Sequence, residues 1–346
     1  MILLCSAKQL SIPFILSMIN MITPGVQEVQ LSGQIELESR FPAIFRAEEK
    51  LEKGIEVVAD WFRAHRLTIL EQLSESGALL FRGLPVHSYQ DFDLVLRSLG
   101  QENFSYAESL SNAVRHNRTD RVFTANEAPP EVEIYFHHEM AQTPIFPSKL
   151  VFYCEQAPTK GGATPLCRSD ALLFEAVRRV PEFVKRCDEL GLRYTNVMPA
   201  SADLASGQGR SWRSTLSVDT KEEAAARLAG LRYEFEWLVD DSLKATTPTL
   251  PAIRRLPDGR RVFFNQLIAA FKGWQDARNQ ANKSVCYGDG RALSDEDMKS
   301  VCAISEELAF DLHWATGDIA LIDNFLVMHG RRPFEGQRCV LASLLA

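Results

Sequence analysis

The chain has 346 residues, of which 46% are hydrophobic and 24% are charged, and its 38 Lys and Arg residues are outnumbered by 45 Asp and Glu residues. This composition is typical of a globular protein that can bury a core without disulfides or a structural metal. The formal net charge of −7 and the lack of a basic stripe argue against nucleic-acid binding.

The first 26 residues differ from the rest of the chain because they contain one charged residue, Lys8, and no acidic residue. Their apolar stretch over residues 10–22 is broken by polar residues and is too short to span a bilayer. We therefore expect a leader over residues 1–26, which is a mis-assigned start, a disordered leader or, less favoured, an organelle-targeting segment. A single domain is expected over residues 27–346, with no association with a membrane.

Seven cysteines are scattered along the chain, and no C-x-x-C motif occurs. Their odd number and irregular spacing argue against a disulfide framework, which favours a reducing compartment such as the cytoplasm. Most of them are expected to be small buried side chains.

Helical signals dominate the N-terminal third of the domain. Residues 45–65 are predicted to form an amphipathic helix, which continues over residues 67–73 and ends near Gly77. Residues 78–83 (ALLFRG) are predicted to form a buried strand that ends in a turn. A second helix is predicted over residues 89–99, with Gly100 at its end.

The middle of the chain is richer in strands. Residues 131–137, 149–155 and 163–167 are predicted strands, and the last two are separated by the turn at 160–162. Ser169 or Asp170 is expected to cap a helix over residues 171–179. Pro181 then begins a further helix that runs to residue 190.

Residues 200–300 are more polar and less regular than the segments on either side. They contain a predicted helix at 221–231, a strand at 261–264 and a turn at 287–290. We interpret this stretch as an insertion or a lid within the same domain. The last predicted strands cover residues 317–323, 325–328 and 338–345.

The order of these elements indicates the fold class. The predicted helices concentrate early, and the terminal strands follow one another without an intervening helix. This order favours an antiparallel, mainly β architecture with flanking helices (α+β) over a doubly wound parallel sheet. No G-x-G-x-x-G motif, P-loop or G-x-S-x-G elbow is present, which argues against the folds that carry them.

The strongest chemical signal is an H-x-E motif formed by His137 and Glu139. On an extended strand, residues i and i+2 point to the same face, so the imidazole and the carboxylate would converge. His329, which follows the predicted strand 325–328, can supply a second imidazole. Two His and one carboxylate form the ligand set of non-haem Fe(II) oxygenases. Catalytic zinc uses similar ligands, but generally from an H-E-x-x-H helix, which is absent.

Two further residues could bind a dicarboxylate co-substrate. Arg338 opens the last predicted strand, and its planar guanidinium is suited to bidentate binding of the distal carboxylate of 2-oxoglutarate. Thr164 follows the turn at Gly161 and Gly162, and its hydroxyl could donate to the same carboxylate.

With these residues in place, the chain resembles the taurine dioxygenase / clavaminate-synthase-like (TauD/TfdA) family of Fe(II)- and 2-oxoglutarate-dependent oxygenases over roughly residues 40–346. Five segments in the same order carry the resemblance. They are TANEAPPEVEIYFHHEM (124–140), FPSKLVFYCEQAPTKGGATPLCRS (146–169), GRSWRSTLS (209–217), RRVFFNQ (260–266) and GDIALIDNFLVMHGRRPFEGQRCVLASL (317–344).

The resemblance implies a double-stranded β-helix, which is a jelly-roll barrel. It assigns the iron to His137, Glu139 and His329, and 2-oxoglutarate to Thr164 and Arg338. It also places Asn265 and Gln266, less specifically, on a stretch that faces the substrate pocket.

The chain departs from the family pattern at one position. Many members carry a second Arg four residues after the first, where this chain has Ala342. The co-substrate is therefore expected to depend on Arg338 alone, or on another group such as Arg331 or Arg332.

The implied reaction uses O₂ to decarboxylate 2-oxoglutarate to succinate and CO₂, after which a C–H bond of the substrate is oxidised. Related halogenases lack the carboxylate ligand, so Glu139 predicts hydroxylation or desaturation rather than halogenation. His138 is expected to point to the opposite face of the strand from His137 and Glu139, unless a one-residue change of register exchanges the two histidines.

The substrate is expected to be a small polar metabolite, such as an amino acid or a derivative of one. Two alternatives remain open from the sequence: a catalytically inactive barrel that binds a ligand, and a hydrolase that holds zinc at the same three residues. The sequence does not indicate the oligomeric state.

Overall fold

The computed structural model describes residues 24–37, 40–105, 109–206, 208–274, 278–280 and 283–346. Most of the expected leader, residues 1–23, lies outside the described residues. The helices are α1 (Ile55–Ser76), α2 (Tyr89–Ser98), α3 (Ser169–Arg179), α4 (Pro181–Leu190), α5 (Trp212–Leu216), α6 (Lys221–Gly230), α7 (Leu267–Gly273) and α8 (Asp295–Glu307). Among the described residues, none of these helices has both the length and the apolar character needed to cross a bilayer.

Most of the strands are short, and they occur along the whole described chain. They are β1 (Val26–Glu28), β2 (Ile35–Glu36), β3 (Arg40–Phe41), β4 (Ala43–Ala47), β5 (Ala78–Arg82), β6 (Phe123–Thr124), β7 (Ile134–His137), β8 (Lys149–Gln156), β9 (Lys160–Gly161), β10 (Thr164–Arg168), β11 (Leu192–Met198), β12 (Glu234–Trp237), β13 (Leu243–Thr246), β14 (Arg254–Arg255), β15 (Arg261–Val262), β16 (Val285–Tyr287), β17 (Ala309–Leu312), β18 (Ile319–Asp323), β19 (Val327–Arg331), β20 (Phe334–Glu335) and β21 (Cys339–Leu345).

Two sheets form the centre of the molecule. The larger has the strand order β1-β4-β5-β18-β8-β21-β6, and the smaller has the order β17-β10-β19-β7. From β6 to β21 the chain passes back and forth between the two sheets, except where β10 and β17 pair as neighbours in the smaller one. This winding confirms the expected jelly roll. Among the described pairs of strands, β4 and β5 are parallel, and the others are antiparallel.

The strands of the larger sheet are buried on both faces. In β5, Leu80 contributes to the apolar cluster between the two sheets, whereas Leu79 and Phe81 contribute to a cluster with α1 and α2. Successive side chains of a strand point to opposite faces, so the continuous apolar sequence of β5 packs against both neighbouring clusters. The helices α3, α4, α7 and α8 cover the outer face of the smaller sheet in a third cluster.

The prediction of a helix beginning at Phe45 is wrong. Phe45 lies in β4, where it pairs with Phe81 of β5, and its ring stacks on Phe81 at 5.4 Å between centroids. The charged residues 48–53 form turns, and α1 begins only after Gly54. The helical spacing of apolar residues starts at Ile55, so the predicted helix wrongly included part of β4 and the turn before α1.

Other helices agree closely with the sequence analysis. The helix α4 begins at Pro181 and ends at Leu190, as predicted, and Ser88 caps α2 with a reciprocal capping box through Asp91. The expected insertion at residues 200–300 corresponds to a longer segment, residues 169–308, which connects β10 to β17 and is called the excursion below. It contains α3 to α8 and a third sheet of order β12-β13-β11-β16.

Candidate active site

The site is built on two neighbouring strands of the smaller sheet. His137 ends β7 and lies directly opposite His329 of β19 in the antiparallel ladder. Their neighbours Phe136 and Met328 point outward into the cluster with the helices. Because strand residues alternate between faces, both imidazoles point inward between the sheets. Their ring centroids are 4.3 Å apart.

Glu139 lies in the turn that follows β7, rather than on the strand itself. Its backbone is fixed by the buried side chain of Asn324, which accepts from the Glu139 N–H at 2.7 Å and donates to the Glu139 carbonyl at 3.0 Å. Asn324 also donates to the carbonyl of Pro147 at 2.8 Å. This clamp turns the carboxylate toward the imidazoles, with Glu139 Oε2 3.8 Å from His329 Nε2.

One ligand atom from each of His137, Glu139 and His329 lies within 4.8 Å of the others. Burial lowers the pKa of both imidazoles below the usual value, so they are neutral at pH 7, the form that binds a metal. His137 donates from Nδ1 to the carbonyl of Tyr135 at 2.8 Å, which leaves the lone pair on Nε2. No described residue pairs with Nδ1 of His329. These three residues fit a divalent iron ion.

Arg115 is a charged neighbour of this group that no sequence pattern indicates. Its Nη2 donates to both carboxylate oxygens of Glu139, at 3.1 and 3.0 Å. The side chains are 7% and 4% exposed, so the guanidinium compensates a carboxylate that would otherwise be buried among neutral groups.

His138 faces away from the site, as expected. It is fully buried against Phe264, at 4.8 Å between ring centroids, and its Nδ1 bonds the carbonyl of Asn324. Burial lowers the pKa of His138 to about 3, so this ring is neutral. It contributes to the packing that supports the turn at Glu139.

The three candidate ligands open into a cavity of about 440 Å³. This volume lies within the range of roughly 300–1,000 Å³ that small-molecule sites occupy. Thr164 and Arg338 also line this cavity. The fold therefore brings together five residues that span 202 positions of the sequence, counted from His137 to Arg338.

Thr164 is held by a hydrogen bond at the start of β10. Its hydroxyl oxygen accepts from Trp314 Nε1 at 3.0 Å. A hydroxyl has one donor and two acceptor sites, so this bond leaves its proton available to an acceptor in the cavity. Trp314 is 9% exposed and was not identified from the sequence.

Arg338 lies just before β21, and its side chain crosses toward the turn at Gly162. Its Nε donates to the Gly162 carbonyl at 3.1 Å, which fixes the side chain and leaves two Nη groups. Burial lowers the pKa of Arg338 to about 10, so the group carries its charge at pH 7. A buried cation of this kind is suited to a carboxylate ligand.

The two other arginines considered from the sequence have different roles. Arg331 lines the cavity, but its Nη groups donate to four backbone carbonyls of the segment 126–132. Arg332 is not among the residues that line the cavity, and it forms ion pairs with Glu133, Glu306 and Asp311. Arg338 is therefore the cavity arginine best placed for a co-substrate carboxylate.

The two residues expected at the substrate pocket are separated by the fold. Gln266 lines the cavity and donates from Nε2 to the His138 carbonyl at 2.9 Å. Asn265 is not among the cavity residues. Its amide donates to the Ala252 carbonyl at 3.1 Å and accepts from the Leu267 N–H at 3.0 Å, so it shapes the start of α7.

Arg115 and Asn324 could not be identified from spacing, because both are distant from Glu139 in the sequence. Arg115 is 24 residues away and Asn324 is 185 residues away. The available signal at Asn324 is its place in a short turn between two apolar strands, five residues before His329. Arg115 lies in a polar segment without regular periodicity, and no local pattern distinguishes it.

Comparison with known proteins identifies relatives along most of the chain. The sequence model of the family described as "Taurine catabolism dioxygenase TauD, TfdA family" matches residues 40–344. A clavaminate synthase-like protein of Arabidopsis thaliana is 43% identical over 273 residues, which are 79% of this chain and 82% of the relative. The dapdiamide synthesis protein DdaC of Enterobacter agglomerans is 32% identical over 300 residues, 83% of this chain and 87% of that protein.

A solved structure has the same fold. The structure of AAD-2 in complex with Mn(II) and N-oxalylglycine superposes with a TM-score of 0.52, at 11% sequence identity, over 93% of this chain and 98% of AAD-2.

Proposed function

The chain belongs to the TauD, TfdA family of Fe(II)- and 2-oxoglutarate-dependent oxygenases, and from this premise we propose that it hydroxylates or desaturates a small polar metabolite. The observation that carries the proposal is the convergence of His137, Glu139 and His329 within 4.8 Å at the wall of one cavity. Bound iron would supply the activation of O₂ that drives decarboxylation of 2-oxoglutarate and oxidation of a C–H bond.

We assign the iron ligands to His137, Glu139 and His329. Two neutral imidazoles and a carboxylate occupy three positions of an octahedron and leave three for other ligands. The Tyr135 carbonyl holds the ring of His137, and Asn324 holds the backbone of Glu139. Such outer partners fix the orientation of the donor atoms and strengthen metal binding.

We assign the distal carboxylate of 2-oxoglutarate to Arg338 and Thr164. Both line the cavity of the triad, one as a buried cation and the other as a hydroxyl whose oxygen already accepts from Trp314. A charge-assisted pair together with a hydroxyl donor would hold the co-substrate in one orientation.

The expected substrate is an amino acid or a derivative of one. The cavity has room for a small molecule beside the co-substrate, and polar residues such as Asn112, Gln142 and Gln266 line it together with Ala269 and Trp274. The name of DdaC, a dapdiamide synthesis protein, is in keeping with a small amide-containing metabolite.

Glu139 favours hydroxylation or desaturation over halogenation. Its carboxylate would occupy the metal position that a halide needs, and its two backbone bonds to Asn324 keep it there. Product analysis by mass spectrometry in chloride-containing buffer is expected to show added oxygen or loss of two hydrogens. A chlorinated product would contradict this assignment.

We further propose that residues 27–346 act as a single oxygenase domain. Part of the excursion between β10 and β17 would close over its substrate, since Gln208, Gln266 and Trp274 from that excursion line the cavity.

The proposal is tested by succinate formation. Wild-type protein, loaded with Fe(II) without O₂ and then given 2-oxoglutarate and O₂, is expected to form succinate even without its substrate, and Glu139→Ala is expected to lose this activity. Absence of succinate from wild type, with turnover of a hydrolysable substrate by the zinc-loaded protein, would favour a hydrolase. Absence of both activities would favour a binding protein.

A further inference from the structure

A second, smaller cavity lies beside the active cavity. It has a volume of about 40 Å³, and three of its lining residues, Asn112, Gln142 and Trp274, also line the cavity of the triad. This space is enough for a few water molecules or for the end of a small ligand. Because the two cavities share these residues, they are adjacent, and a ligand at the triad that reached past these side chains would enter the smaller space.

Four polar atoms around this smaller cavity are buried without a partner among the described residues. They are Oδ1 and Nδ2 of Asn196, Oγ1 of Thr215 and Oε1 of Gln142. The three residues are 7%, 2% and 6% exposed, respectively. Buried polar groups nearly always have hydrogen-bond partners in folded proteins, so a group of such atoms at one cavity marks a place suited to a polar ligand or to water.

Asn196 is free to serve a ligand because the sheet satisfies its backbone. It lies on β11, opposite Ala245 of β13, and its side chain takes no part in that ladder. Asn279, which lies outside the strand, provides a contrast: its buried Oδ1 accepts from the N–H of Val197 in β11 at 2.8 Å. Two buried asparagines at one strand therefore have different roles.

The smaller cavity is electrically neutral. Its lining residues among the described part of the chain include no Asp, Glu, Lys, Arg or His: they are Leu110, Asn112, Gln142, Thr143, Tyr194, Asn196, Met198, Thr215, Leu216, Leu228, Tyr233, Ala245, Thr247 and Trp274. A charged group would lose its hydration here without gaining an opposite charge. The site therefore selects for an uncharged group that both donates and accepts hydrogen bonds.

We propose that Asn196, Thr215 and Gln142 form a subsite that binds a terminal carboxamide of the substrate. An asparagine side chain offers an acceptor and a donor that match the N–H and C=O of another amide in a paired arrangement. Oε1 of Gln142 can accept from the second N–H, and the Thr215 hydroxyl can donate to the carbonyl. This subsite rests on the proposed function, because the reacting carbon would lie at the triad.

Matched amides and acids test the subsite by binding. Equilibrium dialysis of the Fe(II)- and 2-oxoglutarate-loaded protein without O₂ would compare L-asparagine with L-aspartate and L-glutamine with L-glutamate. At least one carboxamide is expected to bind about tenfold or more tightly than its acid. Equal or tighter binding of the acids, or no binding of either amide, would overturn the proposal. A succinate assay run in parallel reports separately on the proposed function.

The variants Asn196→Leu and Asn279→Leu distinguish a binding role from a structural one. Asn196→Leu is expected to abolish the preference for the amide while leaving the melting temperature unchanged or higher, because it removes unpaired buried atoms. Asn279→Leu is expected to lower the melting temperature, since it breaks a bond to the strand backbone. Equal destabilisation by both variants, or an amide preference that survives in Asn196→Leu, would show that Asn196 is structural.

Discussion

At the residue scale, the proposed co-substrate site combines a fixed cation with a fixed hydroxyl. Arg338 is held through Nε by the Gly162 carbonyl, and Thr164 is held through its oxygen by Trp314. In both cases one hydrogen bond to the protein orients the group, and its remaining donors stay available. Pre-orientation of this kind lowers the entropy cost of binding.

Replacing Arg338 by Met is expected to raise the KM for 2-oxoglutarate by roughly 10- to 150-fold, the equivalent of the 1.5–3 kcal/mol of hydrogen bonds to a charged group. Thr164→Val should raise it by about tenfold. Steady-state kinetics of succinate formation measure both. Arg332→Met is the control, because Arg332 does not line the cavity and two of its three ion-pair partners, Glu306 and Asp311, lie outside it. A similar KM for Arg338→Met and Arg332→Met would contradict the assignment.

Burial makes Cys154, Cys302 and Cys339 resistant to alkylation. It raises the pKa of Cys154, Cys302 and Cys339 to about 12, 11 and 12, so the reactive thiolate forms only when the pH approaches these values. At pH 8, on the order of one thiol in a thousand or fewer is ionised. In a Cys5→Ser background, iodoacetamide labelling measured by mass spectrometry should be slow at pH 8 and fast after unfolding. Rapid labelling of the folded protein would contradict this.

At this scale, residues whose chemistry is strongly restricted could be selected from the sequence. His137, Glu139, His329, Thr164 and Arg338 are all expected at the site, and in the structure all five line one cavity. The supporting residues were missed, because an Arg or an Asn has many ordinary roles. Their effect on Glu139 depends on contacts that only the folded chain creates.

At the scale of elements, the pairing of β7 with β19 sets the distance between the two imidazoles. The register is irregular between His329 and Arg331, where Gly330 lies. A Cβ atom at Gly330 would be 2.3 Å from the carbonyl oxygen of Ile134 in the opposite strand. Glycine is therefore required here by the close approach of the two backbones.

The variant Gly330→Ala should push β19 away from β7 and weaken metal binding by tenfold or more, because the ligands lose their alignment. Titration with Co(II), followed by its visible absorption, measures this affinity. Gly230→Ala is the control, since nothing lies within 4 Å of a Cβ there and alanine favours the helix by up to about 1 kcal/mol. Unchanged Co(II) affinity in Gly330→Ala would show that the register between β7 and β19 does not determine metal binding.

Elements with a clear boundary signal were predictable, and elements without one were not. Pro181 marked the beginning of α4 and Gly77 the end of α1. The beginning of α1 was misplaced, because residues 48–53 are charged like a solvent-facing helix but form turns. The pairing of β4 with β5 makes residues 43–47 a strand, and this long-range contact is not visible in the local sequence propensity.

At the scale of the whole molecule, the fold places candidate metal ligands from distant parts of the chain at one point. A metal that binds the folded chain and not the unfolded chain stabilises the fold by mass action, by about 2.7 kcal/mol at a hundred times its Kd. Mn(II) is therefore expected to raise the melting temperature by a few degrees, and EDTA should reverse the change. The His137→Ala variant is the control and should show no shift. Equal shifts in both proteins would place the ion elsewhere.

The overall architecture could be predicted further than its details. The succession of apolar strands indicated an antiparallel sheet, and the resemblance supplied the jelly roll. The length of the excursion at 169–308 was underestimated, because α3 and α4 follow β10 directly and read as part of the main domain. The small cavity at Asn196 was not predictable, since its residues come from separate elements of that excursion, from the turn after β7 and from the segment before β6.

The proposed site is tested by an anaerobic titration of the purified protein with Fe(II) and then 2-oxoglutarate, followed by visible absorption. If the three residues bind iron and Arg338 binds 2-oxoglutarate, wild type gives a new charge-transfer band that requires both additions. The band is expected to be lost in His329→Ala and to need much more 2-oxoglutarate in Arg338→Met. A wild-type protein that shows no such band, or a His329→Ala variant that keeps it, would contradict the assignment of this site.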